Sequence, residues 1–193
     1  MHLSFIFASI SLALFIYGSV PYVLSVKRGD TNPQRVSVYI FLILTALSVL
    51  TQFAEGATLS LVLPAFGFCL NIAVITFMKK SDIGKIRAID KFSFVAAIAI
   101  LGLWAVTNSA ALAIILLVLV NIIAKVLITK KVYNYPHSEP VKSYVFWILG
   151  SIFTVISVGS LDWILLLPAF NNIVTLVIIV AVMMLSRKKT AFV

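Results

Sequence analysis

Acidic side chains are scarce in this sequence, with six Asp and Glu against fifteen Lys and Arg in 193 residues, and charged residues of both signs reach only 11%. A soluble domain carries about a quarter charged residues. This chain, 62% hydrophobic, therefore lacks the polar surface to cover itself in water. The single cysteine, Cys69, excludes an internal disulfide, and inside an apolar run it reads as a small buried hydrophobe. His2 and His137 stand far apart, and no His, Cys, Asp or Glu cluster has metal-ligand spacing, so no metal or cofactor is expected. There is no glycine-rich phosphate loop, and Cys69 has no identifiable base on its own helix, which argues against an enzyme. Carboxylates are also missing from the middle of every apolar run: Glu55 and Asp162 fall at one set of junctions, and Asp30, Asp82, Asp90 and Glu139 at the other. Proton or sodium relays usually need such a group, so its absence favours passive movement of any solute.

What the sequence does have is apolar runs that reach or approach the roughly 18–20 residues needed to cross about 30 Å of hydrocarbon as a helix. Segments are predicted at 3–26, 36–54, 57–78, 91–107, 110–131, 141–158 and 161–185. The fourth and fifth are divided at Thr107-Asn108-Ser109, because one helix through both would span about 57 Å, far more than the membrane. The first run could be mistaken for a signal peptide. Only His2 offers a charge before it, however, and Lys27 and Arg28 come after it, as expected of a retained helix.

Charge placement gives an independent check on this count. All fifteen basic residues fall after the first segment, after the third, around the fifth-to-sixth junction, or at the C-terminal end. If those ends are cytoplasmic, seven spans put the N-terminus outside and the C-terminus inside without exception, in a multi-pass protein of the cell membrane. The net charge of +9 is then a matter of topology and anionic lipid, and nucleic-acid binding is not expected.

Leu63-Pro64-Ala65-Phe66 recurs as Leu167-Pro168-Ala169-Phe170, 104 residues later. Val23 to Lys27 likewise matches Val126 to Lys130, and Thr31-Asn32-Pro33 matches Ser138-Glu139-Pro140. A duplicated three-helix unit is implied, with 1–78 as a first triple-helix bundle, 79–109 as an inner loop and linker helix, and 110–193 as a second bundle with a short cytoplasmic tail. A lone crossing between them lets the two units run parallel, leaving room for a central site. The fold class expected is an all-α membrane protein of seven transmembrane helices in a 3+1+3 plan.

This plan, the N-outside orientation and the proline-marked repeats make residues 3–185 resemble the PQ-loop and SWEET (MtN3/saliva) transporter superfamily. The resemblance implies two triple-helix bundles around a central route for a sugar or another small metabolite, with prolines as bending points and asparagines on the third and seventh helices touching substrate. On that pattern Pro21, Pro33, Pro64, Pro140 and Pro168 are hinge candidates. The match departs at the fifth segment, which has no proline, and Pro33-Gln34 lies in a junction rather than inside a helix.

Amides inside apolar runs face other helices or a water-filled cavity. Asn71, Asn121, Asn171 and Asn172 are therefore substrate-binding candidates, with helix-to-helix hydrogen bonding as their structural alternative. Strict repeat alignment pairs Asn71 with Thr175, which joins the set. Gln52, a further substrate-binding candidate, forms with Thr45, Ser48 and Thr51 a polar stripe on the second segment, loosely matched by Thr154 and Ser157 on the sixth; both stripes are pore-lining candidates, with hydroxyls bonded to their own helix as the alternative. Trp104 and Trp163 fall near the outer interface, where tryptophan anchors to headgroups, and Trp163 could also close the outer mouth. Gly56 and Gly159 suit tight outer turns. Lys125, five to six residues from the inner end of the fifth segment, either snorkels to the headgroups or serves as an inner gate or a contact for a substrate carboxylate.

The sequence thus points to a transporter that moves a small neutral polar metabolite, sugar-like or vitamin-like, by passive alternating access. A seven-helix small-molecule receptor or membrane assembly protein is the alternative. The expected partners are a small-molecule substrate and the lipid bilayer. A homo-oligomer is compatible with these features, although one chain would already hold the whole pathway.

Overall fold

A computed structural model of the chain describes residues 2–54, 62–78, 110–158 and 163–190, with isolated positions between 88 and 106. The described residues form six helices: α1 (His2–Arg28), α2 (Arg35–Ala54), α3 (Val62–Phe77), α4 (Ala110–Asn134), α5 (Val141–Val158) and α6 (Trp163–Thr190). The turn after α1 follows from its glycine. Gly29 takes φ 91°, a left-handed conformation that costs glycine nothing. It allows Asp30 N to bond Ser25 O at 3.0 Å and Gly29 N to bond Val26 O at 3.1 Å, closing the helix in a Schellman motif.

The helices pack as a closed ring in the order α1, α3, α2, α4, α6, α5 and back to α1. The most extensive contact joins α1 to α5. Small residues make it possible: a Cβ added to Gly18 would sit 2.9 Å from Phe146 Cβ, and one on Gly150 would sit 3.0 Å from the Phe15 ring. Ser11, buried at the same seam, places its Oγ 2.9 Å from Gly150 O and 2.8 Å from Thr154 Oγ1. Such close approach is how helices gain dispersion contact in lipid, where no hydrophobic force drives them together. The opposite seam, α2 on α4, is held by Ser37 Oγ donating to Ala124 O at 2.7 Å and by a cluster around Ile40, Val120 and Leu127. Apolar side chains also cover the outside of the ring, among them Leu3, Tyr17, Val174 and Leu185, the surface expected of helices solvated by lipid.

This arrangement corrects the expectation of seven crossings in a 3+1+3 plan. The described helices number six, and three of them carry stretches long and apolar enough to cross a membrane: Leu3–Arg28, Val141–Val158 and Leu166–Lys188. Arg35–Leu50 and Leu63–Phe77 are apolar but shorter. The physical reasons differ by helix. As described, α3 has 16 residues, or about 24 Å at 1.5 Å per residue, and α4 carries Lys125, Lys130 and Lys131 in its C-terminal part. The α1–α5 contact, the most extensive of all, joins residues assigned to different bundles. The crossing expected at 91–107 lies largely outside the described residues. So do the turns at Gly56 and Gly159, Trp104, and the side chain of Gln52, whose backbone lies in the last turn of α2.

Candidate ligand-binding cavity

The ring surrounds a partly open cavity of about 450 Å³ with residues from all six helices in its wall. Most of the wall is apolar, with Phe15, Phe41, Phe66 and Trp147 as its largest side chains. That is the usual composition of a small-molecule site, in which a few polar groups fix the ligand's orientation.

Those polar groups include three of the four predicted asparagines: Asn71, Asn121 and Asn172 all line the cavity. Asn71 spends its Nδ2 on Gly67 O, four residues back, at 2.8 Å. The corresponding position in the repeat, Thr175, uses its Oγ1 in the same way, on Asn171 O at 2.5 Å. Asn171 stands behind the wall and donates Nδ2 to Asn121 Oδ1 at 3.0 Å, joining α6 to α4. Thr175 also lies outside the wall. Asn171 and Thr175 thus stand behind the wall, bonded to Asn121 and Lys125, while the other three asparagines line the cavity.

Asn172 is the centre of a longer chain of bonds. Its Oδ1 accepts from Lys125 Nζ, and its Nδ2 donates to Ser151 Oγ at 2.6 Å. Ser151 Oγ lies 2.8 Å from Trp147 O, and Trp147 Nε1 donates to Ser19 Oγ at 3.0 Å. The chain crosses α4, α6, α5 and α1 in turn. Thr45 and Thr154 from the two predicted polar stripes also reach the wall, with Thr45 Oγ1 donating to Phe41 O at 2.8 Å.

Lys125 and Glu139 also stand in the wall, the first left open by the sequence and the second expected elsewhere. Lys125 does not snorkel: it is 4% exposed, lines the cavity, and donates to Thr175 Oγ1 at 2.8 Å as well as to Asn172. Glu139, expected in a junction, is 2% exposed and forms part of the cavity wall. Its Oε1 pairs with Lys131 Nζ, which also donates to Asn32 O. The phenols of Tyr22 and Tyr144 lie beside the same carboxylate, and no hydrogen bond to its Oε2 closes among the described residues.

Arg187 adds two bonds, from Nε to Pro136 O at 2.9 Å and from a terminal nitrogen to Glu139 O at 3.1 Å. Asn32 N donates to Ser138 O at 3.1 Å. Together these contacts fasten the α1–α2 turn, the α4–α5 turn and α6 across one end of the ring. This is the end that also carries Lys27, Arg28, Arg35, Lys130 and Lys142, here called the basic end.

The hinge candidates are dispersed. Pro21 and Pro168 lie inside α1 and α6, where each removes a helix donor, and Pro168 also lines the cavity. Pro64 is the third described residue of α3, Pro33 is buried in the turn before α2, and Pro140 immediately precedes α5. Trp163, the first residue of α6, is 74% exposed and has no part in the cavity wall.

Ring, cavity and apolar exterior define an all-helical protein with several membrane-length apolar helices, that is, a helical membrane protein with a mostly apolar internal cavity. The chain matches no protein-family model, no curated protein and no solved structure.

Proposed function

We propose that the protein is a membrane carrier that passes a small polar metabolite through the central cavity by alternating access. The observation that carries this reading is the cavity itself: a volume of about 450 Å³ with three asparagines in its wall and a bonded closure of two turns and α6 at one end. Parting the few polar contacts that cross one end of the ring would change access to a site that lies between the helices. The basic residues at that end suit the cytoplasmic face, which would put the N-terminus outside and the C-terminus inside. The proline-marked repeat, resembling the PQ-loop and SWEET transporters, supports the same reading. A neutral ligand follows from the amides alone, but the Lys125 ammonium in the same wall adds a charge that a neutral ligand leaves uncompensated.

Counterflow in liposomes of the purified protein, screened over sugars, vitamins, nucleosides and amino acids, tests the proposal. Saturable exchange is expected, and Asn172→Ala is expected to lower it about tenfold or more, the factor corresponding to loss of one or two hydrogen bonds near a charged group. Tight binding without exchange would make the protein a receptor instead. Accumulation driven by an imposed pH gradient would contradict passive movement, and the Glu139 carboxylate in the wall would be the first group to replace.

A further inference from the structure

Two donors one helical turn apart stand on the cavity face of α4. Asn121 and Lys125 are four residues apart and both line the cavity, as i and i+4 positions on one helix face must. Asn121 Oδ1 is occupied by Asn171 Nδ2, which leaves the Asn121 Nδ2 hydrogens as the group to offer a ligand. Lys125 Nζ donates to Asn172 Oδ1 and Thr175 Oγ1. An ammonium carries three hydrogens, so one remains.

Both acceptors on Lys125 are neutral. The ion pair among the described residues, Lys131 with Glu139, lies about six residues and ~9 Å further along α4, and Lys131 already takes up that carboxylate's charge. When protonated, Lys125 gives the cavity wall a positive charge without a counter-ion among the described residues, in surroundings where an uncompensated charge is costly.

We propose that the cavity's ligand is an organic monocarboxylate, with one carboxylate oxygen on Lys125 Nζ and the other on Asn121 Nδ2. The assignment rests on the carrier reading for its biological meaning, but its chemistry is that of the site alone. A protonated Lys125 matches a single negative charge, and donors at i and i+4 on one helix face can each offer a hydrogen to one oxygen of a carboxylate. Phe15, Phe41, Phe66 and Trp147 in the rest of the wall suit an apolar or aromatic body. A bare chloride would leave that volume unfilled.

The test is binding to the purified full chain in detergent, by calorimetry and thermal unfolding, using phenylacetate and hexanoate against phenylacetamide and hexanamide, with sodium chloride as a control. The acids are expected to bind about tenfold or more tightly than their amides, the factor a charge-assisted hydrogen bond supplies, and chloride at equal concentration to have no effect. Lys125→Gln is expected to abolish the preference and Lys125→Arg to retain it. The acid–amide comparison on the unaltered protein stands even if a variant fails to fold. Amides binding as tightly as acids, a folded Lys125→Gln that keeps the preference, or no response to either acid would each overturn the assignment. The two readings fail separately. Acids that bind but show no counterflow sink the carrier and leave the assignment intact, whereas saturable exchange of neutral solutes without acid preference does the reverse.

Discussion

Replacing Glu139 with alanine is expected to lower the stability of the folded chain in mixed detergent micelles by about 3–5 kcal/mol, the cost of breaking a buried ion pair from one side. The side chains of Lys131 and Glu139 are 5% and 1% exposed, so removing the carboxylate leaves an ammonium that water cannot reach. Among the described residues, Lys131 would keep only the Asn32 carbonyl as a partner. The backbone bond from Arg187 to Glu139 O would survive the substitution, but the α4–α5 turn would lose its fastening to α4. The companion variant, Lys131→Met with Glu139→Leu, removes both charges and is expected to recover most of the loss, because a buried pair often contributes little net stability against apolar groups of similar size. Equilibrium unfolding of the single and double variants measures both effects. A loss below about 1 kcal/mol for Glu139→Ala, the range of an exposed pair, would mean that the pair is not buried.

At the α1–α5 seam the expected effect is steric. Gly18→Leu is expected to cost about 3 kcal/mol, the upper part of the range for overpacking. Even the first added carbon would sit 2.9 Å from Phe146 Cβ and 3.0 Å from Ser143 O. Neither atom is the far end of a flexible side chain, so relief requires the two helices to part. Parting them also disturbs the Tyr17–Phe146 ring contact, at 4.6 Å between centroids, and the Trp147–Ser19 bond. Gly102 provides the internal comparison, since a Cβ there meets nothing within 4 Å among the described residues, and Gly102→Leu should change stability by no more than about 0.5 kcal/mol. Unfolding both variants side by side separates a packed seam from a general intolerance of leucine. Equal losses would contradict the close approach of α1 and α5.

What sequence could and could not supply follows the distance over which each interaction acts. Helix positions depend on local apolar runs and punctuation, and the segment expected at 141–158 coincides with α5, while that at 110–131 ends three residues before α4 does. The number and grouping of crossings depend on which helices meet, and that is settled by pairs such as Gly18 with Phe146 and Ser37 with Ala124, which no local pattern connects.

The same division runs through the site. Intramembrane amides are costly enough to stand out in an apolar run, so Asn71, Asn121 and Asn172 were legible as cavity residues. Lys125 was ambiguous because its distance from the helix end suits snorkelling, whereas its direction is fixed by Asn172 and Thr175 on a helix nearly fifty residues later. A useful signal was available in the four-residue spacing from Asn121, which places both on one face. Glu139 was missed because a carboxylate beside a proline in a junction reads as solvated. Its burial depends on Lys131, eight residues earlier, folding back over the turn.

If the protein is the carrier proposed, the contacts across the basic end of the ring must part for a ligand to pass. Asn32 and Ser138 meet there through a backbone hydrogen bond of 3.1 Å, close enough for paired cysteines to approach disulfide geometry. In a Cys69→Ser background, Asn32→Cys with Ser138→Cys should cross-link on mild oxidation and stop counterflow in liposomes, with full recovery on reduction. A cross-linked protein that exchanges solute at the unlinked rate would contradict the account.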